Sequence, residues 1–324
     1  MNKIIVLTSG GDAPGMNAAL RALVRSGVHF GLEVFGCQQG FQGIIDQKLI
    51  PLFPENVANC IQTGGTLLKA DRCQAFYEKE TRDRCRAFLE KNRIDGMVVL
   101  GGNGSFCGAS LLSQESGGKL AVIGIPCTID NDIPGTEYTI GFDTARNNAL
   151  QAIDKIRDTA SSHYRHFLVE VMGRNAGFLA VDVGIAGGAE IILIPEFEPS
   201  LEKIAQKLSQ RRQSKLSAII VVAEANQPGR SIQMAEKLHH LTQQPFRVCV
   251  LGHIQRGGSP SAQDRSLASA MGYLAIQALR NGESHQMVAF RNDHLSLYPF
   301  PAADHPPRIF QQKDLLEMND ILCS

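Results

Sequence analysis

Short β-branched runs alternate with helix-like segments along the whole chain, and several of the runs stop at a glycine-rich or acidic turn. This alternation is typical of parallel sheets whose faces are covered by helices. The predicted strands are residues 4–8, 33–37, 96–100, 121–125, 166–172, 191–194, 218–223 and 247–251. The predicted helices include residues 17–30, 144–159, 201–213 and 262–280. The sequence therefore predicts an α/β fold.

The length of the chain bears on its domain organisation. A chain of 324 residues exceeds what one hydrophobic core usually organises, which favours two domains or one large α/β unit. No low-complexity tract or flexible linker separates two halves, so the domains are expected to share chain crossings near Gly141 and near Gly257-Gly258. Residues 281–307 are expected to form loops and edge structure.

Charge, apolar content and cysteine spacing exclude several classes of protein. The 32 basic and 32 acidic residues leave no overall field that would attract nucleic acid or an anionic membrane. No run approaches the roughly 18 apolar residues of a membrane span, and the first residues lack the pattern of a signal peptide, so we expect a cytoplasmic protein. The eight cysteines contain no Cys-x-x-Cys pair, so neither a zinc site nor a disulfide framework is expected.

Two glycine-rich turns each lie between a predicted strand and a helix-like segment. The first is residues 8–17 (TSGGDAPGMN) and the second is residues 101–105 (GGNGS). Free backbone N–H groups at such a turn bind phosphate well. Either turn alone is as well explained as a tight connection, but two together favour phosphate binding where neighbouring strands end. Neither matches the P-loop pattern or completes the dinucleotide fingerprint, which disfavours both of those folds.

An acidic turn follows the predicted strand 121–125. It reads PCTIDND over residues 126–132 and places Asp130 and Asp132 two positions apart. Such crowding raises the cost of ionising both carboxylates, and it suits one as a proton acceptor and the other as a group oriented toward a metal or its water. The alternative interpretation is a simple turn capped by Asp and Asn side chains.

Four segments, in this order, resemble the bacterial 6-phosphofructokinase family. They are residues 7–17 (LTSGGDAPGMN), 126–132 (PCTIDND), 169–174 (VEVMGR) and 251–258 (LGHIQRGG). The resemblance covers the whole chain and implies two Rossmann-like three-layer domains with mostly parallel sheets. It implies a nucleotide-binding domain at 1–141 plus 259–307, and a sugar-phosphate-binding domain at 142–258 plus 308–324.

The same resemblance implies a reaction and an assembly. A homotetramer would transfer the γ-phosphoryl group of ATP, with Mg²⁺ as cofactor, to the 1-hydroxyl of fructose 6-phosphate in glycolysis. Asp130 would be the base, and Thr128, Arg174 and Gly11 would complete the catalytic group. Asn103 and Asp132 would lie nearest the magnesium ion.

The family's binding positions can be carried over residue by residue. Those matched to the sugar phosphate are Thr128, Ile129, Asp130, Asp132, Arg165, Met172, Gly173, Arg174, Glu224, Arg247, His253 and Arg256. Those matched to ATP are Gly11, Phe41, Arg72, Cys73, Gly102, Asn103, Gly104, Ser105 and Gly108. Those matched to an effector, ADP or phosphoenolpyruvate, are Arg21, Arg25, Arg157, Gly188, Glu190 and Lys215. In the family, the equivalents of Arg165 and Arg247 reach the sugar phosphate from a neighbouring subunit.

Guanidinium groups suit this assignment because they offer paired donors to a phosphate. Read singly, however, an arginine is more often a solvated or ion-paired surface residue, and His253 alone fits a satisfied core histidine.

Several positions depart from the family pattern. Asn103 stands where the family usually has an Asp, and an amide holds a hard divalent cation more weakly than a carboxylate does. Gly104 leaves room for a nucleotide, whereas pyrophosphate-using relatives have Asp there. Cys127 matches neither the Gly of ATP-dependent relatives nor the Lys of pyrophosphate-dependent ones. ATP is the expected donor.

Two further departures concern loops. Residues 69–71 read Lys-Ala-Asp where relatives commonly have Gly-Ser-Ala, and the lysine either contacts a phosphate or points to solvent. Pro54 replaces an effector-site arginine, and losing a cation weakens a phosphate pocket, so we expect an altered or reduced effector response.

Two other functions remain open from the sequence. One is a relative that uses pyrophosphate or phosphorylates another ketose phosphate, such as tagatose 6-phosphate or sedoheptulose 7-phosphate. The other is a catalytically weakened regulatory subunit, which Asn103 favours and the presence of Asp130 and Arg174 opposes.

Overall fold

The computed structural model describes residues 1–163, 165–210, 217–302 and 305–323, which divide into two compact units. The first unit contains residues 1–129, 133–144 and 256–307. The second contains residues 130–132, 145–255 and 308–324. Both units are discontinuous in sequence. Assigning the nucleotide to the first unit and the sugar phosphate to the second stays a prediction.

The principal helices and strands occur in the following chain order. They are β1 (Lys3–Thr8), α1 (Met16–His29), β2 (Glu33–Cys37), α2 (Phe41–Ile45), β3 (Leu49–Pro51), α3 (Lys79–Lys91), β4 (Gly96–Gly101), α4 (Asn103–Glu115), β5 (Ala121–Pro126), α5 (Phe142–His163), β6 (His166–Val171), α6 (Phe178–Ala186), β7 (Ile191–Leu193), α7 (Leu201–Ser209), β8 (Ala218–Ala223), α8 (Arg230–Thr242), β9 (Phe246–Val250), α9 (Ala262–Arg280), β10 (Gln286–Arg291), β11 (His294–Pro299) and α10 (Lys313–Cys323).

The first unit contains a seven-stranded sheet in the order β11-β10-β5-β4-β1-β2-β3. The five central strands are parallel to their neighbours, and the two edge strands β3 and β11 are antiparallel. Parallel central strands are apolar on both faces because helices cover both. In β1, residues 4–7 are all fully buried, which fits this position in the sheet.

Alternate residues of β1 face two separate halves of the core. Ile5 and Leu7 belong to a cluster with Phe41 and Phe106 on one face. On the other face, Gly27 of α1 lies so close to the sheet that a Cβ atom there would stand 2.6 Å from Val34. Glycine at this position therefore lets the helix pack directly on the strands.

The second unit contains a four-stranded parallel sheet in the order β7-β8-β6-β9. β8 is buried along its whole length and lies between β7 and β6. Leu168 of β6 and Ile220 of β8 pack in one cluster with Leu208 of α7 and Leu238 of α8. The carboxyl ends of β6 and β8 lie side by side, since Val171 pairs with Ala223.

The predicted α/β class with mostly parallel sheets is confirmed, and the eight predicted strands all form. Two of them were predicted too long, because Met172 and Ile194 lie beyond the ends of β6 and β7, and the strand predicted at 247–251 is shifted by one residue from β9. Residues 281–307 contain the hairpin β10–β11, and β10 pairs with β5 at the side of the sheet. Helix 201–213 was also predicted too long, since α7 ends at Ser209 and residues 211–216 lie outside the described chain.

Two expectations about the class of protein can be checked against the fold. No helix within the described ranges is long and apolar enough to cross a membrane. The eight cysteines, all of which are described, are free thiols.

Candidate active site

The two glycine-rich turns of the first unit lie side by side, as predicted, because they follow the adjacent parallel strands β1 and β4. The Ser9 N–H donates to the carbonyl of Leu100 across 2.9 Å. The Ser105 hydroxyl oxygen fits between the turns, 3.5 Å from where a Cβ atom would stand on Gly10 and 2.6 Å from the same point on Gly101. A side chain at Gly101 would therefore displace Ser105.

Gly11 and Arg256 meet although they are far apart in sequence. The Arg256 guanidinium donates to the carbonyl of Asp12 at 2.9 Å. A Cβ atom on Gly11 would lie 2.6 Å from the same Nη1 nitrogen. Gly11 therefore leaves room for a guanidinium beside the first turn, where it adds positive charge to a candidate phosphate site.

A third segment is tied to the same turn. The side-chain amide of Asn17 donates to the carbonyls of Thr63 and Gly64, and its oxygen accepts from the N–H of Leu67. The Thr8 hydroxyl donates to the Lys69 carbonyl at 2.7 Å, and the Gly10 N–H donates to the Asp71 carbonyl at 3.2 Å. These bonds bring Arg72 and Cys73, both predicted to bind ATP, next to the first glycine turn.

Phe41, a predicted nucleotide contact, is stacked on Phe76, with ring centroids 4.2 Å apart. A Cβ atom on Gly108 would lie 3.3 to 3.4 Å from these two rings. Both rings are only 4% exposed, so Phe41 offers little open surface. Gly108 and the aromatic pair together form an apolar surface beside the phosphate-type turns.

The remaining predicted nucleotide positions lie at the start of α4. Gly102 precedes the helix, Asn103 is its first residue, and Gly104 is exposed. A Cβ atom on Gly104 would meet only the Tyr77 hydroxyl, at 3.9 Å, so the space around this residue is open.

The acidic turn is divided between the units. Thr128 and Ile129 belong to the first, where the Thr128 N–H donates to the Ile140 carbonyl at 3.1 Å. Ile129 is fully buried, so its predicted contact with the sugar phosphate stays a prediction. Asp130 and Asp132 belong to the second unit.

Within the second unit, Asp130 lies beside Arg174. The guanidinium Nε of Arg174 is 3.3 Å from Oδ2 of Asp130, which is 1% exposed. Burial, with a smaller contribution from Asp130, raises the pKa of Asp132 from 3.8 to about 6. The carboxylates of Asp130 and Asp132 thus both lie near the Arg174 guanidinium. Two carboxylates beside one cation are suited to proton transfer.

The turn that carries Arg174 is held by two side chains. The Gln255 amide oxygen accepts from the N–H of Met172 at 2.9 Å, and Glu224 accepts from the N–H of Arg174 at 3.1 Å. Gly173 has φ +131° and Arg174 has φ +51°, so both are in a conformation that L side chains rarely adopt. Met172, Gly173, Arg174 and Glu224 thus come together at the carboxyl ends of β6 and β8.

Arg165 and Arg247 lie at the opposite end of the same sheet. Arg165 directly precedes β6, and Arg247 pairs with Phe167, the second residue of that strand. The six residues of β6 extend about 20 Å, so these arginines are far from Arg174 within one chain. His253 is exposed in the turn that follows β9.

Three of the predicted effector residues meet in the second unit. The Arg157 guanidinium donates to the carbonyls of Gly187 and Gly188, each at 2.7 Å, and lies 3.5 Å from a carboxylate oxygen of Glu190. Arg21 and Arg25 lie one turn apart on α1 in the first unit. Lys215 lies outside the described residues.

The chemistry of two predicted residues fits a magnesium ion. Asn103 and Asp132 supply an amide and a carboxylate oxygen, which are hard ligands of the kind that Mg²⁺ prefers. The pKa of Asp132 is raised because burial disfavours the ionised carboxylate. A bound cation would favour the ionised form. No group of three or more His, Cys, Asp or Glu suited to a metal occurs among the residues described.

Sequence reasoning missed several residues that shape the site. Gln255 and Asn17 are nearly inaccessible and act through long-range hydrogen bonds to backbone groups. Asp264 accepts from the N–H groups of Gly141 and Thr144, each at 2.8 Å, and so fixes the start of α5. A fourth missed residue is Glu170, whose carboxylate lies between the apolar residues Val169 and Val171 of β6. A charged residue between apolar neighbours is the sequence feature that could have identified it.

Comparison with known proteins bears on this site. Residues 3–279 match the family model described as Phosphofructokinase. The chain belongs to the phosphofructokinase family. The resemblance found in the four sequence segments is therefore confirmed.

Curated relatives match almost the full length. The chain is 56% identical over 324 residues to the ATP-dependent 6-phosphofructokinase of Coxiella burnetii, covering 100% of this chain and 99% of the relative. It is 50% identical over 304 residues to the ATP-dependent 6-phosphofructokinase 1 of Thermus thermophilus, covering 94% of each.

Solved structures share the fold. A structure of phosphofructokinase from Saccharomyces cerevisiae has a TM-score of 0.87 at 32% identity and covers 98% of this chain and 46% of that one. The chain thus spans about half the length of the yeast chain. A pyrophosphate-dependent phosphofructokinase from Marinobacter aquaeolei has a TM-score of 0.85 at 22% identity, covers 98% of this chain and 91% of that one, and shares the fold alone.

Proposed function

We propose that the chain is an ATP-dependent 6-phosphofructokinase, which transfers the γ-phosphoryl group of ATP to the 1-hydroxyl of fructose 6-phosphate and yields fructose 1,6-bisphosphate and ADP. The name is shared by relatives that are 46 to 56% identical over nearly the whole chain. The observation that carries the mechanism is the 3.3 Å contact between Asp130 and Arg174 at the carboxyl end of a parallel sheet.

In this mechanism, Asp130 accepts the proton of the 1-hydroxyl as its oxygen attacks the γ-phosphorus. The bond from that phosphorus to the bridging oxygen of ADP breaks, and the proton later passes from Asp130 to solvent. Arg174 stabilises the negative charge that spreads over the phosphoryl oxygens during transfer. Thr128, Met172, Gly173 and Glu224 would hold the sugar near Asp130.

The nucleotide would bind at the two glycine turns of the first unit. Backbone N–H groups near Gly11, Gly102 and Ser105 face the phosphates in this proposal, with Arg72 and Cys73 beside them. The base would lie near Gly108 and the Phe41–Phe76 pair. Magnesium would be held mainly by the ATP phosphates with Asn103 and Asp132 nearby, and it would neutralise phosphate charge.

The identity of the phosphoryl donor depends partly on Cys127. This residue stands where pyrophosphate-dependent relatives have Lys, and it is only 2% exposed. Burial, with a contribution from Asp264, raises the pKa of its thiol well above the ordinary value. Cys127 therefore stays neutral and does not supply the cation of a lysine. This supports ATP as the donor.

The position of two arginines supports an oligomer. Arg165 and Arg247 lie about 20 Å from Arg174 along β6, so one chain does not bring all three to a single sugar phosphate. We propose that a neighbouring subunit of a homotetramer contributes the first two. Fructose 6-phosphate would then bind fully only in the assembly.

Regulation and location complete the proposal. The cluster of Arg157, Gly188 and Glu190 supports a site for ADP or phosphoenolpyruvate, to which Arg21, Arg25 and Lys215 would contribute. Its response would be reduced because Pro54 brings no cation. The enzyme would act in glycolysis in the cytoplasm and would bind neither nucleic acid nor membrane.

A coupled assay of sugar bisphosphate formation, which reports turnover with either phosphoryl donor, tests the function. Purified protein is given fructose 6-phosphate with Mg-ATP. In parallel reactions, pyrophosphate replaces ATP, or tagatose 6-phosphate or sedoheptulose 7-phosphate replaces fructose 6-phosphate. We expect the highest kcat/KM with fructose 6-phosphate and ATP. A higher value with pyrophosphate or another sugar, or no turnover with any pair, would overturn the proposal.

A further inference from the structure

Strand β6 contains one charged residue in its buried half. Glu170 is 1% exposed and is flanked by Val169 and Val171, which are also buried. A carboxylate in such a place is costly unless hydrogen bonds satisfy it. The position of Glu170 between apolar neighbours therefore indicates a specific structural role.

The Glu170 carboxylate binds the N-terminus of α8. One oxygen accepts from the N–H of Gly229 at 2.5 Å. The other accepts from the N–H of Ser231 at 2.9 Å and from its hydroxyl at 2.6 Å. Ser231 is fully buried, so water does not compete for these bonds. Because a helix N-terminus carries partial positive charge, the negative carboxylate is a strong anchor for this end of α8.

The segment between β8 and α8 is held in an unusual conformation. Ala225 has φ +48° and Asn226 has φ +55°, two consecutive non-glycine residues in the left-handed region, and Gly229 has φ +88°. Such a conformation persists only where its surroundings determine it strongly. The anchored end of α8 supplies one of these constraints, and the N–H of Gln227, which donates to the Glu224 carbonyl at 2.8 Å, supplies another.

Glu224 begins this strained segment and contacts the proposed catalytic turn. Its N–H donates to the carbonyl of Val171 at 3.0 Å, next to Glu170. Its carboxylate accepts from the N–H of Arg174 at 3.1 Å, and the Arg174 side chain lies 3.3 Å from Asp130. Glu170 is thus connected to Arg174 through the anchored segment and Glu224.

We propose that Glu170 is a positioning residue for the sugar-phosphate site. By fixing the N-terminus of α8, it holds residues 225–229 in their strained conformation and so places Glu224 against the turn of Arg174. This inference rests on the proposed function, because it assumes that Arg174 and Glu224 act on fructose 6-phosphate.

The test is the variant Glu170→Gln, whose amide keeps the size of the side chain but replaces one acceptor oxygen with a donor. We expect KM for fructose 6-phosphate to rise about tenfold or more, while kcat and KM for ATP stay within about threefold of the parent. A loss confined to one substrate is not what general destabilisation produces. Ser200→Ala, which removes the side-chain cap of α7 in the same unit, is the matched control and should leave all three parameters unchanged.

A second variant keeps the inference testable if Glu170→Gln does not fold. Ser231→Ala removes one of the three donors and leaves the carboxylate in place, so a smaller rise in KM for fructose 6-phosphate, about threefold, is expected. The inference would be overturned if KM for fructose 6-phosphate is unchanged in whichever of Glu170→Gln and Ser231→Ala folds. An equal change in KM for fructose 6-phosphate and KM for ATP would also overturn it.

Arg174→Ala, measured in parallel, separates this inference from the proposed function. If Arg174→Ala leaves the kinetics of fructose 6-phosphate intact, the proposed site is wrong, and the inference falls with it. If Arg174→Ala impairs the reaction and Glu170→Gln does not, the proposed site stands and Glu170 has only a structural role.

Discussion

Lys69 has a backbone φ of +60°, at a position where the family resemblance leads us to expect glycine. A non-glycine residue in this conformation costs about 1–2 kcal/mol. The carbonyl of Lys69 accepts from the Thr8 hydroxyl at 2.7 Å, so the strained residue belongs to the segment that leads to Arg72.

We expect Lys69→Gly to raise the free energy of unfolding by about 1 kcal/mol relative to Lys69→Ala, because only the first variant relieves the backbone. Denaturant unfolding of both variants measures this difference. Comparing their KM values for ATP with the parent's shows whether the lysine amine contacts a phosphate. Equal stability of the two variants would contradict the assignment of strain.

The buried carboxyl of Asp132 leads us to predict that the free energy of unfolding depends on pH. Its pKa is raised from 3.8 to about 6 by burial and by Asp130, so folding favours the protonated carboxyl. The stability that this group contributes is fully present below about pH 4 and is lost as the pH rises through about 6. A pKa change of this size corresponds to about 3 kcal/mol.

Asp132→Asn should therefore raise the free energy of unfolding at pH 8 by about 1–3 kcal/mol, and by much less at pH 4. Denaturant unfolding without ligands at the two pH values tests this expectation. A stabilisation that is the same at pH 4 and pH 8 would show that the carboxyl is not perturbed as described.

The individual residues of the site were predictable to different degrees. Asp130 and Gly11 lie in turns at strand ends that the local pattern singled out, whereas Arg174 was taken from the family resemblance alone. Their roles stay predictions. Gln255 and Glu170 were not predicted, because their roles depend on hydrogen bonds to backbone groups 83 and 59 to 61 positions away. Sequence patterns describe neighbours along the chain and carry little information about such contacts.

At the scale of elements, α3 and α4 are joined by a partly buried ion pair beside the proposed nucleotide site. The Arg82 guanidinium binds both carboxylate oxygens of Glu115, at 2.9 and 2.7 Å. It also donates to the carbonyls of Phe76 and Tyr77, at 3.0 and 2.7 Å. Arg82 therefore fixes the short turn whose Phe76 ring stacks on Phe41.

Arg82→Ala should lower the free energy of unfolding by about 3 kcal/mol, because it leaves a poorly solvated carboxylate and two carbonyls without their donor. KM for ATP should rise as the Phe76 turn loosens, while KM for fructose 6-phosphate changes less. Steady-state kinetics and denaturant unfolding measure both effects. Lys119→Ala, which breaks the exposed pair with Glu90, is the control and should cost less than about 1 kcal/mol. Equal costs for the two variants would contradict this account.

The elements themselves were largely predictable from periodicity. Apolar runs bounded by glycine or acidic turns identified the parallel strands, because burial on both faces makes such strands continuously apolar. The hairpin β10–β11 was expected only as edge structure, since its residues are partly exposed and carry a weak pattern. The stops of β6 and β9 were misplaced by one residue, because hydrogen bonding and not composition ends a strand.

At the scale of the whole molecule, the sequence predicted two discontinuous domains, and the structure contains two compact units with crossings near residues 129–145 and 255–256. Length alone left two domains or one large α/β unit open, and the division of the acidic turn between the units was not foreseen. That division depends on tertiary contacts, which local sequence does not encode.

The proposed homotetramer leads us to predict complementation between inactive subunits. Arg247→Ala and Asp130→Asn homotetramers should each be nearly inactive at low fructose 6-phosphate. Mixed tetramers made by co-expression should regain part of the activity, because a chain with Asp130 intact then receives Arg247 from its neighbour. Activity of purified mixtures at subsaturating fructose 6-phosphate measures this. Full activity in a strictly monomeric protein would contradict the proposed arrangement.

The central claim is that Asp130 accepts the proton of the attacking hydroxyl. The most direct measurement is kcat of Asp130→Asn at saturating Mg-ATP and fructose 6-phosphate, together with the calorimetric Kd for fructose 6-phosphate. Because a general base contributes about 10²–10⁴-fold, we predict a fall in kcat of about 10³-fold with a Kd that stays within about tenfold. A kcat within about tenfold of the parent's would contradict the claim, since such an enzyme does not need this carboxylate as its base.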